Sequence, residues 1–284
     1  MKDAPDPDAR LGFYGPHSQM WRVNREAVLL GSGPAALLLQ LAHPLVAEGV
    51  AAHSDFAADP FARLRRTLRT TLAMVFGDGP TAGRAVRELN RVHARVRGPV
   101  LDPLARDATR ARHYRALDPQ LLLWVQATLV IMSVRAYDRW VAPLAPAERD
   151  GLWLESRATG QRLGIPLTSS PGSWRELLEW FERQMAPGGP VTVTDTARRL
   201  AATVVRPPLP LAPTALVDLA VLPGLALLPP RIRDGYGILW SARRAALAGA
   251  LSTGLRTWVW LMPRSWRAMP PARAAERRVA AGVG

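Results

Sequence analysis

Asp118-Pro119-Gln120-Leu121-Leu122-Leu123-Trp124-Val125-Gln126-Ala127-Thr128-Leu129-Val130 opens the stretch on which the fold turns. An Asp followed by Pro is a helix start. The carboxylate caps free amides, and proline at the first helical position gives up an N–H that has no partner there. The run stays largely apolar to Val141, too long for a buried strand. Its Leu121–Val134 heart is broken by Gln126 and Thr128 and falls short of the roughly 20 apolar residues a bilayer crossing needs. The reading is a core helix.

The same punctuation repeats on both sides. Asp59-Pro60 opens a helix to about Phe76, and Gly77-Asp78-Gly79-Pro80 breaks the chain before another from Thr81 to about Val96. Gly31-Ser32-Gly33-Pro34 leads into Ala35–Ala42, closed by His43-Pro44, and Pro146 starts a helix with Glu148 and Asp150 in its first turn. Ser173-Trp174-Arg175-Glu176 is a capping box for a helix to Met185, and Asp195 to Val205 follows as another. A Pro-rich passage from Pro207 to Pro230 precedes a long helical stretch, Arg231 to Leu261. No alternating strand pattern and no internal repeat is present. The expected fold is all-α: an N-terminal tail over 1–12, one helical domain over 13–266, and a flexible basic tail over 267–284.

Nearly half the residues are hydrophobic and 21% are charged, the balance of a folded chain. The net charge of +14 rests almost wholly on arginine, Lys2 being the only lysine. Those arginines are spread along the chain rather than gathered in a stripe, which argues against a nucleic-acid surface. Cysteine is absent, which excludes disulfides, iron–sulfur clusters and a thiolate-ligated haem. The polar start, Met1 to Arg10, has no apolar core of a signal peptide, so the expected location is the cytoplasm. Leu209–Leu228 carries Asp218 and three prolines, which reads as a buried or surface-lying segment and leaves room for peripheral membrane contact but not stable insertion.

Of five histidines, His93 is the most informative. Val86, Leu89, His93, Val96 and Val100 recur at spacings of three and four, which sets His93 in an apolar stripe. Periodicity alone leaves two readings, a core histidine bonded to a carbonyl or a ligand to a metal. Arg97 is expected one turn on, along the same face. On the Asp59–Phe76 helix, Arg63, Thr67, Thr70 and Met74 share the face opposite the apolar stripe of Phe61, Leu64, Leu68, Leu72 and Val75, as if lining a pocket. No His-Glu-x-x-His, Gly-x-Ser-x-Gly or Walker pattern occurs, and Gly31-x-Gly33 lacks the rest of a dinucleotide loop.

The run Leu39-Gln40-Leu41-Ala42-His43-Pro44-Leu45-Val46-Ala47-Glu48-Gly49-Val50, then His53-Ser54-Asp55-Phe56, Asp59-Pro60 and Arg63 to Leu68, resembles the oxygenase family of the fungal MpaB protein and the bacterial latex clearing protein. The likeness continues through Phe76-Gly77, Arg91–Arg97 and Leu122–Val130 and spans roughly Phe13 to Trp266. It implies a globin-like helical domain around a non-covalent b-type haem, with dioxygen as co-substrate. The family's iron-binding histidine, with an arginine four residues later, matches His93 and Arg97. Its Arg-x-x-Lys-Thr pocket motif matches Arg63, Arg66 and Thr67, with Arg66 in place of lysine. Arginine stays protonated and makes a poor metal ligand, so the distal side is expected to be open. The resemblance makes His93 the metal ligand, Arg97, Arg63 and Thr67 cofactor-binding, and Arg66, Glu48 and His53 the candidate catalytic residues.

The expected activity is a haem-dependent oxygenase acting on a small hydrophobic metabolite, prenyl-like or aromatic. Two rivals stand beside it: a haem sensor or carrier without turnover, and a basic helical protein that binds nucleic acid or acidic lipid.

Overall fold

Capping side chains and prolines start most of the helices. The computed structural model describes residues 11–53, 60–206 and 213–281, the side chains of 60–64 excepted. Within these the helices are α1 (Gln19–Asn24), α2 (Gly33–Leu41), α3 (Pro44–His53), α4 (Pro60–Phe76), α5 (Gly79–Arg95), α6 (Pro103–Thr109), α7 (Pro119–Trp140) and α8 (Pro146–Arg162). They continue with α9 (Trp174–Met185), α10 (Asp195–Val205), α11 (Thr214–Leu225), α12 (Pro230–Gly235), α13 (Ala242–Leu261), α14 (Arg264–Arg267) and α15 (Pro270–Ala280). The fold is all-α. Asp78, Asp102 and Asp118 cap α5, α6 and α7, their carboxylates accepting from Thr81, Leu104 and Gln120 amides at 2.8, 3.0 and 2.8 Å.

Helix α7 is the axis of the core. Leu121, Leu122, Leu123, Trp124, Ala127, Val130, Ile131 and Val134 are all buried, as are Gln126 and Thr128. It is long and apolar enough to cross a membrane, yet two-thirds of its apolar window (67%) is buried inside the protein. Trp124 stacks on Phe181 of α9 with ring centroids 5.5 Å apart and donates from Nε1 to the Gln40 carbonyl at 3.2 Å. One apolar cluster joins α2, α7, α8, α9, α10 and α11, from Val23 to Ile232. A second gathers Tyr14, Trp21, Val75, Phe76, Met269, Ala272 and Ala275, so α15 seals α1 and α4.

The structure departs from the sequence reading in several places. His43-Pro44 closes α2 but also opens α3, because proline is as suited to a first helical position as to a stop. Helices on either side of that corner meet at 106°. A two-stranded antiparallel ribbon, β1 (Arg97–Pro99) and β2 (His113–Arg115), sets Gly98 opposite Tyr114, too short to leave an alternating pattern. The Pro-rich passage holds α11, with Pro223 inside it near its end. The expected stretch from Arg231 breaks after α12 at Gly237, whose positive φ of 66° ends the helix, and restarts at the Ser241 cap. Where a basic tail was expected, α15 buries Ala272 and Ala275 and Glu276 pairs with Arg25 at 3.0 Å.

Candidate functional site

Helices α4 and α5 form a hairpin about Gly77 and Asp78. His93 lies fifteen residues beyond Asp78, and counting back from the turn sets it level with the start of α4, at about Arg63, since both helices rise about 1.5 Å per residue. Arg63's side chain lies outside the described residues. Arg66 and Thr67, a turn nearer the hairpin, are exposed; Thr70 is half-buried and Met74 buried. That gradient along one face of α4 matches a wall that starts in solvent and ends in protein.

His93 is half-buried, and its Nδ1 is buried with no hydrogen-bond partner. A core histidine bonded to a carbonyl through Nδ1 is therefore not what the structure shows. Burial pushes its imidazole below the ordinary histidine range, which favours the neutral, ligating form. Arg97 does not follow one turn on. Helix α5 ends at Arg95, Val96 is extended (φ −86°, ψ 94°), and Arg97 is an exposed residue of β1. Pro99 lies just beyond, and helices usually end at or before the residue preceding a proline.

The remaining candidates cluster at the far side of β1. His53, at the exposed end of α3, donates from Nε2 to the Arg97 carbonyl at 3.1 Å, and its ring stands edge-on to Tyr114 with centroids 6.1 Å apart. Glu48, one helical turn earlier, is buried at 6% exposure. Its Oε2 accepts from the Leu101 amide at 3.1 Å and its Oε1 from the Asp102 amide at 3.3 Å and the Thr196 hydroxyl at 3.4 Å. Asp102 Oδ2 takes the same hydroxyl at 3.2 Å and the Thr196 amide at 3.3 Å, and Arg199 donates to Thr196 Oγ1 at 3.0 Å. Amides at the start of α6 and α10 hold the Asp102 carboxyl below the usual carboxylate range despite the opposing cost of burial. Glu48 thus ties α3 to α6 and α10. The sequence reading missed Asp102, Tyr114, Thr196 and Arg199. Asp102-Pro103 repeats the cap-and-proline signal of Asp118-Pro119 and could have flagged the first.

Both carboxylate oxygens of Glu48 being engaged makes a stability prediction. Glu48→Ala is expected to strand two backbone amides and cost about 3 kcal/mol, Glu48→Gln about 1 kcal/mol, because the amide keeps one acceptor. Urea unfolding measures both; an alanine variant as stable as the wild type would show that the tie carries nothing.

His43 is the other buried histidine. Its Nδ1 has no partner, its ring centroid is 6.1 Å from Trp124, and burial pushes its imidazole down to about 4. The unfolded chain binds this proton from about pH 6.5 downward, while the folded chain refuses it until about pH 4. Stability is therefore full above pH 6.5 and falls as pH drops to 4, by up to about 3 kcal/mol. His93 acts in the same direction. A His43→Gln variant should show a visibly flatter loss over that window in urea midpoints taken at each pH.

Among the described residues no three His, Asp or Glu side chains converge as a metal site. Non-haem iron centres need two histidines and a carboxylate together, whereas a haem needs one axial histidine. The donor set present, one histidine with a buried unpartnered nitrogen flanked by arginine-rich helices, fits a haem. A cleft of about 380 Å³ lies along α1, lined by His17, Arg22 and Glu276, and one of about 320 Å³ lies between the segment before α1 and α8, lined by Phe13, Glu155 and Arg162; neither is lined by His93.

The family model for the catalytic domain of the ER-bound oxygenase mpaB/B′ and rubber oxygenase matches residues 21–264. The chain belongs to this family. The match takes in every helix from α2 to α13, so this mpaB/rubber-oxygenase domain is an enzyme, an oxidoreductase of the oxygenase type. Neither a curated protein nor a solved structure matches it.

Proposed function

We propose that this oxygenase works with a b-type haem held through His93 and oxidises a small apolar metabolite, prenyl-like or aromatic, with dioxygen as co-substrate. The observation that carries the reading is the half-buried His93 ring, whose buried Nδ1 finds no protein partner on an apolar helix face. When bound, the haem supplies the dioxygen chemistry that the side chains alone cannot.

The chain's own residues set the conditions. Burial keeps His93 neutral and able to donate a lone pair. Arg97, Arg63 and Thr67 would hold the propionates of a bound haem through charge-assisted bonds. Arg66, exposed on α4, would offer its guanidinium N–H donors to anionic groups of a bound haem or substrate. His53 and Glu48 are positioning residues: His53 fixes the Arg97 backbone, and Glu48 fixes the turn that carries β1 into α6. Thr70 and Met74 extend the α4 wall inward toward an apolar guest.

Titrating the purified full chain with haemin and recording the absorption spectrum tests the cofactor. The expected result is a saturable Soret band at one haem per chain. A protein that stays colourless at saturating haemin overturns the reading. Oxygen uptake that responds to an apolar substrate separates the oxygenase from a haem carrier.

A further inference from the structure

Helix α13 shows two faces with different fates. Ala248, Ser252 and Val259 are buried, and Ser252 Oγ accepts from Trp140 Nε1 of α7 at 3.4 Å. On the other side Leu247, Ala250, Gly254, Trp258 and Leu261 follow at spacings of three and four, all exposed. The stripe ends in a concentration of large apolar side chains: Trp258 is 47% exposed, Leu261 63%, Trp260 79% and, on α14, Trp266 75%. Helix α11, packed against α13, adds exposed Leu216 and Leu219. Scattered exposed leucines need no explanation, but a continuous stripe closing on three tryptophans does.

Charge says what covers it. From Gly235 to Ala275 the chain has no Asp or Glu and six arginines, Arg243, Arg244, Arg256, Arg264, Arg267 and Arg273. Arg243, Arg256 and Arg264 are exposed. A second copy seated symmetrically on this face would set arginine against arginine. An anionic bilayer would neutralise them, and tryptophan rings favour the depth where headgroups meet acyl chains.

We infer that the α13–α14 face is a peripheral docking surface for an anionic lipid bilayer, with Trp258, Trp260, Leu261 and Trp266 at the interface and Arg256 and Arg264 on the headgroups. This surface is independent of the haem reading and shares with the segment 209–228 that the sequence singled out only the flank of α11 at Leu216 and Leu219.

Co-sedimentation of the full chain with vesicles tests it, using phosphatidylcholine alone or with about a third phosphatidylserine. The expected result is at least about tenfold tighter binding to the anionic vesicles, at about fivefold per engaged arginine. Arg256→Gln with Arg264→Gln should remove most of that preference. Trp258→Ser with Leu261→Ser and Trp266→Ser should weaken binding at least about 100-fold. All five side chains are exposed or half-exposed, so the variants should melt as the wild type does, and a melting scan checks this. Wild-type protein left in the supernatant with both vesicles, or vesicle binding that the tryptophan variant retains, overturns the inference. So does sedimentation as a dimer that the tryptophan variant converts to monomer, which would assign the face to a second copy.

Discussion

His93→Ala is expected to abolish the Soret band while leaving the helical fold in place. If His93 holds the haem as proposed, its truncation would remove the protein's bond to the iron; even outer-shell changes cost 10–100-fold in metal affinity, so the drop should exceed about 100-fold. The fold should barely notice. The ring is half-buried and its Nδ1 bonds to nothing in the protein, so truncation costs about 1 kcal/mol in urea unfolding without haem. That combination separates a ligand from a packing residue. A histidine that merely filled the core would give the opposite pair, an intact spectrum and a lower melting point. His93→Gly supplies a second check, because imidazole added from solution should restore part of the band by occupying the space left behind. Arg97→Ala should act more gently, about tenfold in haem affinity, since on the proposed reading Arg63 and Thr67 would still serve the anionic groups.

Gly160→Ala is expected to destabilise the protein strongly. A Cβ at that position of α8 would stand 2.4 Å from Gln126 Oε1 and 2.7 Å from its Nε2. The Gln126 amide cannot swing clear without losing the bonds it donates to Ser156, 2.6 Å to the carbonyl and 3.0 Å to the hydroxyl. Overpacking and a lost buried bond together cost about 3 kcal/mol, or about 10 °C in melting temperature. The effect should depend on the glutamine. In a Gln126→Ala background the same methyl meets empty space, and the second substitution should cost far less than the first. Equal costs in both backgrounds would mean that α7 and α8 do not meet as described.

Much of the architecture was legible because it is written locally. Asp118-Pro119, Pro60, Pro146 and Ser173 each carry a chemical reason to start a helix, and α7, α4, α8 and α9 begin where those residues stand, Asp59 lying outside the described residues. What was not legible depends on partners far along the chain. Proline after His43 reads equally as an end or a beginning, and only the packing of α3 on α10 decides it. The ribbon of β1 and β2 has three residues per strand, so its pairing shows only in space. The same ribbon explains Arg97: spacing placed it on the helix, while the backbone turns extended at Val96, ahead of Pro99. The family likeness was visible in the run from Leu39 to Leu68 and holds over 21–264. The tie between Glu48, Asp102 and Thr196 joins residues 48 and 196 with no motif between them, and nothing short of the fold could reveal it.

The second apolar cluster has a consequence for how this enzyme is made. Val75 and Phe76 at the end of α4 are covered by Ala272 and Ala275 of α15, so the two halves of that contact leave the ribosome about 200 residues apart. At ~5–20 residues per second the interval is about 10–40 s. Throughout it the nascent chain carries α4, and with it Arg66 and Thr67, without its seal, although α7 and its neighbours can already close around one another. The order of synthesis therefore makes the pocket wall the last part of the protein to become native. A stop codon between the end of α13 at Leu261 and the start of α15 at Pro270 would release a chain with a finished core and an uncovered α4.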